Sequence, residues 1–205
     1  QANMPDNIYS FLQAATLPAQ ASATPIWYYQ NGSPEAVAWA MRRVTGKSWS
    51  ALVAERIWSQ FAEDDAYSQI DALGTEMASG GLSSTLRDAA RFAEAVRLAW
   101  SDNDRTSPFA QAVHLALKPN DNQALIAQSP KGKDRAGYAY RDYWYQKNDG
   151  DGSIEAAGRF GQRIYINPRR ELVIVKMSSA PDMAPRATSA AAAPAPPAES
   201  STGTT

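Results

Sequence analysis

Apolar residues recur every three or four positions through the first two thirds of the chain, then crowd into short alternating runs. Val37, Ala40, Met41 and Val44 follow Ser33-Pro34, a pair that opens helices because serine caps and proline at the first helical position loses no needed N–H. Gly46 stands where a left-handed C-terminal cap belongs. A second helix is predicted from Ser48, with Trp49, Val53, Ile57 and Phe61 on one face. A third, capped by Ser84 or Thr85, carries Leu86, Ala89, Ala93, Val96 and Trp100, and a fourth runs from Ser107-Pro108 to about Lys118. A short helix is predicted near 7–15, and 62–82 reads as loop ending in Gly80-Gly81.

Strand character begins at Gly137. Tyr138, Tyr140, Trp144 and Tyr145 form an aromatic, β-prone strand, mostly sheet packing, with one or two side chains available to floor a pocket. Gly150-Asp151-Gly152 marks a turn, and three strands follow at 154–160, 162–167 and 171–177. Ile164, Ile166, Val173 and Val175 are the predicted buried positions. Tyr165, Leu172 and Ile174 between them are apolar too, so both faces ask for cover. Helices first and an antiparallel meander last is an α+β order. The chain divides into an irregular segment 1–26, a mainly helical lobe 27–136, antiparallel strands 137–180, and an Ala/Pro/Ser/Thr tail 181–205 predicted to be disordered.

Composition narrows the chemistry. The chain is 44% hydrophobic and 20% charged, with 20 basic and 21 acidic residues, so no basic stripe points to nucleic acid. The apolar runs are too short to span a bilayer. There is no cysteine, and the single histidine, His114, sits where a helix surface residue belongs. Thiol chemistry and a histidine zinc site are therefore not expected, and neither a metal nor a cofactor is implied. Lys131 and Lys133 read as solvated loop charges, and Arg87 and Asp88 as capping and salt-bridge residues.

Three segments in order resemble one family. They are Trp27-Tyr28-Tyr29-Gln30-Asn31 with the helix ending at Val44-Thr45-Gly46; Gly80-Gly81-Leu82-Ser83-Ser84-Thr85-Leu86-Arg87-Asp88-Ala89-Ala90-Arg91-Phe92; and Gly158-Arg159-Phe160-Gly161-Gln162. Each is weak alone, but the ordered set over roughly 25–180 is similar to the class C β-lactamase-like serine hydrolases. That bacterial, penicillin-binding-protein-like superfamily includes the 6-aminohexanoate-dimer hydrolase group and related esterases. The resemblance implies a transpeptidase-type fold that cleaves a small-molecule amide or ester through an acyl-serine. It places Tyr29 as the catalytic tyrosine and Asn31 as its polar companion. Gly158, Arg159, Gly161 and Gln162 fall in the third motif, where a backbone N–H meets the developing oxyanion. Arg159 departs from the family's usual residue: it either pairs with a substrate carboxylate or points to solvent.

The family activates its serine with a lysine three positions on, helped by the tyrosine. No serine of this chain has lysine at that spacing; Ser84 has Arg87 and Ser129 has Gly132. The nucleophile helix and the first strands of the sheet are therefore expected before Gln1, and the chain is expected to need them. The rival readings are a non-catalytic binding or scaffold member of the same fold, and an unrelated structural α+β domain.

Overall fold

A computed structural model describes residues 7–15, 27–102, 105–129 and 132–181. The expected tail, apart from Pro181, the loop at 16–26 and Lys131 lie outside these described residues. Among the described residues six α-helices precede the main sheet: α1 (Ile8–Gln13), α2 (Gly32–Thr45), α3 (Trp49–Arg56), α4 (Leu86–Ser101), α5 (Pro108–Ala116) and α6 (Gln123–Gln128). Two short strands, β1 (Tyr67–Ser68) and β2 (Leu82–Ser83), pair between α3 and α4. The main sheet follows as β3 (Ala139–Arg141), β4 (Trp144–Gln146), β5 (Ile154–Ala157), β6 (Arg163–Asn167) and β7 (Leu172–Lys176). It is an antiparallel meander in chain order.

Local chemistry sets the helix starts. Asn7, Ser48, Thr85 and Ser107 each accept a hydrogen bond from the backbone N–H three residues on, satisfying a donor that the first turn leaves open. Gly46 ends α2 at φ 69°, in the left-handed region. The start of α2 differs from the sequence expectation. The helix begins at Gly32 with Asn31 as its N-cap, and Ser33 lies inside it, its hydroxyl accepting from Gln30 Nε2 at 3.2 Å. α3 also ends early, at Arg56; a 3₁₀ turn at Trp58–Gln60 carries Phe61 toward Phe92, with ring centroids 5.7 Å apart.

The aromatic stretch expected as one strand is the hairpin β3–β4. Asp142 and Tyr143 form its two-residue turn at φ 45° and 69°, the left-handed pair that matches strand twist. Without Asn-Gly or Gly-Gly, the turn has no sequence signal. α6 is too short to show a period, although its Ile126 is fully buried.

Side chains alternate across the sheet, so each register row belongs to one face. Ile154, Ile166 and Val173 form one row, and Ala156, Ile164 and Val175 the next. Ile154, Ile164, Ile166, Val173 and Val175 of these rows pack on Ala93 and Val96 of α4, Val113 of α5 and Leu117 just after it, the core of the molecule. The opposite face carries the row Tyr140, Tyr145, Glu155, Tyr165 and Ile174.

The apolar stripe on α2 does not face this core. Val37, Met41 and Val44 are exposed, Val44 at 86%, while Glu35 and Ala38 are buried. The reason is electrostatic: carboxylates tie the helices to loop 69–81. Glu35 accepts from the Ala78 and Ser79 amides at 3.1 and 2.9 Å. Glu76 pairs with Arg42 and accepts from Ser50 Oγ at 2.8 Å, and Asp71 accepts from the Ile8 amide at 2.8 Å.

Asp88 is the corresponding anchor for α4. Fully buried, it accepts from the Glu63 and Asp64 amides, each at 3.1 Å, from Thr85 Oγ1 at 3.0 Å and from Arg91 at 2.7 Å. The Glu63 amide leads in holding its carboxyl down to about 2 from 3.8, with Arg91, the Asp64 amide and Thr85 adding to it against desolvation. A depressed folded pKa stabilises the fold fully above 3.8 and loses that contribution as pH falls through about 2. Asp88→Asn is expected to flatten this acid limb in a stability-versus-pH series. Asp88→Ala is expected to lower Tm by more than about 5 °C at neutral pH, since four donors lose their acceptor. An unchanged acid limb in the asparagine variant would mean that another carboxylate carries it.

Candidate active site

Tyr29 lies on the segment that leads into α2, and aromatic contacts hold that segment against the β3–β4 hairpin. Trp27 meets Tyr140 at 5.0 Å and Tyr145 at 6.3 Å between ring centroids. Tyr29 meets Tyr143 at 5.7 Å and Tyr140 at 6.2 Å, with its ring edge-on to each. Edge-to-face pairs favour this spacing because the positive rim of one ring meets the negative face of the next. The Tyr143 hydroxyl donates to the Gln30 carbonyl at 2.8 Å and pins the segment to the turn.

The third motif forms the β5–β6 turn. The Gly158 amide donates to the Gln162 carbonyl at 3.0 Å, and Phe160 and Gly161 both take positive φ, 58° and 83°. A Cβ on Gly158 would stand 2.9 Å from Gln162 Cβ, so Gln162 would have to shift, and one on Gly161 would stand 3.2 Å from Ser178 Oγ on a backbone already at positive φ. The Ala180 amide donates to the Phe160 carbonyl at 3.1 Å, tying the turn to the chain beyond β7. Arg159 and Gln162 are exposed, and the Arg159 guanidinium lies 5.5 Å from the Phe160 ring. Asn31 is exposed at the N-cap of α2.

The register relates the two pieces. β3 and β5 run in one direction and β4 and β6 in the other, so turns 142–143 and 158–162 emerge at the same end of the sheet. Tyr29 packs on the first of these turns.

Burial pushes the Tyr29 phenol above its ordinary value, and the Arg135 guanidinium works the other way. Burial raises Tyr140, Tyr143 and Tyr145 as well. The Tyr140 hydroxyl is buried with no hydrogen-bond partner among the described residues. Positive charge near the Tyr29 hydroxyl favours the phenolate and so works against the rise caused by burial. Arg135 carried no functional signal in the sequence, and Tyr140 and Tyr143 carried only that of an aromatic stretch with one or two side chains available to floor a pocket. Arg135 sits in a 3₁₀ turn outside every motif, and the tyrosines read as sheet packing.

The β-lactamase family profile matches residues 2–196. The chain belongs to the β-lactamase family. This membership rules out the reading as an unrelated structural α+β domain, and the helices followed by an antiparallel meander are its β-lactamase-like architecture. A 6-aminohexanoate-dimer hydrolase from Paenarthrobacter ureafaciens is 28% identical over 179 residues, covering 87% of this chain and 45% of that protein. A solved structure from Bacillus anthracis, a candidate 6-aminohexanoate-dimer hydrolase, superposes with a TM-score of 0.72 at 34% identity. That match covers 86% of this chain and 44% of the other. The β-lactamase-family chain described here thus spans less than half the length of these relatives. Among its described residues no helix is long and apolar enough to cross a membrane, and no group of acidic or histidine side chains is placed to hold a metal ion.

Proposed function

We propose that this chain supplies the tyrosine and the third-strand turn of a serine hydrolase site that cleaves an amide or ester bond through an acyl-serine. The supporting observation is the position of Tyr29 on the β3–β4 turn, at the sheet end that carries 158–162, in a member of a hydrolase family. An acyl centre needs both a proton-handling group and an oxyanion donor within hydrogen-bond reach. In this reading Tyr29 moves the proton, Asn31 is its polar companion, and the backbone around Gly158 and Arg159 faces the oxyanion. Gly161 and Gln162 shape the turn that holds that backbone. The names of both relatives carry a linear amide to this chain as the favoured substrate class. A β-lactam and a simple ester remain the comparison substrates.

A second reading has one observation in its favour. No serine in the 205 residues has lysine three positions on, as a non-catalytic member of the fold would show. Incubation with a p-nitrophenyl ester and a fluorophosphonate probe separates the two. The 205-residue chain alone is expected to give neither burst nor adduct. The same residues within a protein of the relatives' length are expected to give a burst of one product per molecule. A longer protein that also lacks burst and adduct would establish the binding or scaffold reading.

A further inference from the structure

The open face of the sheet holds an excess of positive charge beside the tyrosine cluster. Glu155 is central, its side chain 13% exposed. Arg163 Nη1 donates to Glu155 Oε1 at 2.6 Å, Lys147 Nζ lies 3.8 Å from Oε2, and Arg135 Nε lies 4.0 Å from Oε1. Arg135 is more buried still, at 10% exposure, and its guanidinium stacks 4.0 Å over the Tyr145 ring. Lys147 is held by the Tyr138 hydroxyl and lies 4.7 Å from that ring. Three cations thus share one carboxylate in a largely covered setting.

Two further features sharpen the imbalance. Arg163 stands directly opposite Lys176 across β6 and β7, a like-charge pair that costs stability on a sheet. Arg163 also meets Glu155 through a single nitrogen, leaving much of its donor fork for a second acceptor. Partly buried like charges repel strongly because water screens them poorly, and an anion placed among them would relieve that repulsion. The cluster adjoins the tyrosines: Tyr145 pairs with Glu155 in register, and Tyr140, whose hydroxyl lacks a partner among the described residues, pairs with Tyr145.

We propose that Arg135, Lys147 and Arg163 form a binding site for the carboxylate of a small anionic ligand, on the sheet face adjoining the Tyr29 cluster. Its assignment as a substrate or product subsite rests on the hydrolase reading above; the carboxylate site itself does not. Guanidinium forks match a carboxylate in plane, and the aromatic rings alongside suit an apolar chain attached to it. This differs from a role for the exposed Arg159, which lies in the β5–β6 turn.

Calorimetric titration with sodium hexanoate at low salt tests the site, with hexanamide as the neutral control. Hexanoate is expected to bind saturably, with Kd on the order of millimolar, and hexanamide at least about tenfold more weakly. Added salt weakens hexanoate alone. Arg163→Gln and Lys147→Met each lower hexanoate affinity by roughly tenfold. Glu155→Gln raises it several-fold by removing the competing carboxylate, a gain that damage to the fold does not mimic. Thermal melts identify any variant that fails to fold, and the exposed Lys176→Gln, with a smaller loss, stands in for it. Tyr29→Phe leaves hexanoate affinity within about twofold, so failure of the tyrosine reading and failure of this site are distinguishable. Equal binding of hexanoate and hexanamide would overturn the proposal, as would weaker binding to Glu155→Gln. So would loss of hexanoate binding in a protein of the relatives' length, because an acidic side chain of the same protein would then occupy the cluster.

Discussion

Tyr29→Phe, made in a protein of the relatives' length, is expected to lower kcat roughly a hundred- to ten-thousand-fold, the range for removal of a proton-transfer group. KM should move little, because phenylalanine keeps the ring edge-on to Tyr140 and Tyr143 and removes only the hydroxyl. Burial raises this phenol, and Arg135 is the cation that opposes it among the described residues. In the proposed mechanism, the lysine that follows the serine in the family the sequence resembles adds positive charge that favours the phenolate. A loss shared equally between kcat and kcat/KM would mark an interaction made only in the transition state. A variant with full kcat would remove Tyr29 from the mechanism and leave the aromatic cluster a packing role.

The second large effect concerns association. β7 is the last strand on its side of the sheet, and Leu172, Ile174 and Met177 are exposed, Ile174 at 50%. An edge with free backbone donors and apolar side chains recruits another strand. The exposed α2 residues Val37, Met41 and Val44 add a second apolar surface. The 205-residue chain is expected to self-associate in sedimentation velocity, with a concentration-dependent distribution. Ile174→Glu should shift it strongly toward monomer, because a charge facing the apolar edge opposes pairing at a position that contributes nothing to the α4–α5 core. A monodisperse monomer of the unsubstituted chain would show that this edge is satisfied as it stands.

Helix starts were legible where a single side chain decides them. Ser48, Ser107 and Thr85 cap through one local hydrogen bond, so four residues carry the whole signal. The β5–β6–β7 meander was legible because Ile164, Ile166, Val173 and Val175 keep strict alternation. The buried side of α2 was not legible. Its apolar stripe points outward, while Glu35 and Arg42 hold loop 69–81 through partners more than 30 positions away. The β3–β4 turn was hidden for a different reason: Asp142 and Tyr143 adopt left-handed backbone without glycine, so tertiary contacts settle what composition does not advertise. At the candidate site, Tyr29 and Gly158 were visible through family resemblance. Arg135 and its charge cluster were not, since they converge only after the sheet has formed.

The hydrogen bond from Tyr143 to the Gln30 carbonyl joins residues 113 positions apart. Closing so long a loop costs more chain entropy than closing the short turns of the meander, and contacts of this separation form slowly. The sheet and its α4–α5 cover are therefore expected to assemble first, with docking of the Tyr29 segment as a late folding step. A chain halted just before that step retains the secondary structure of the native molecule but has no assembled tyrosine cluster. Far-ultraviolet dichroism is expected to report such a chain as nearly folded, while the tyrosine signals of near-ultraviolet dichroism are expected to report a missing piece. Mutations that slow this docking reduce the yield of competent molecules without touching a residue of the cluster.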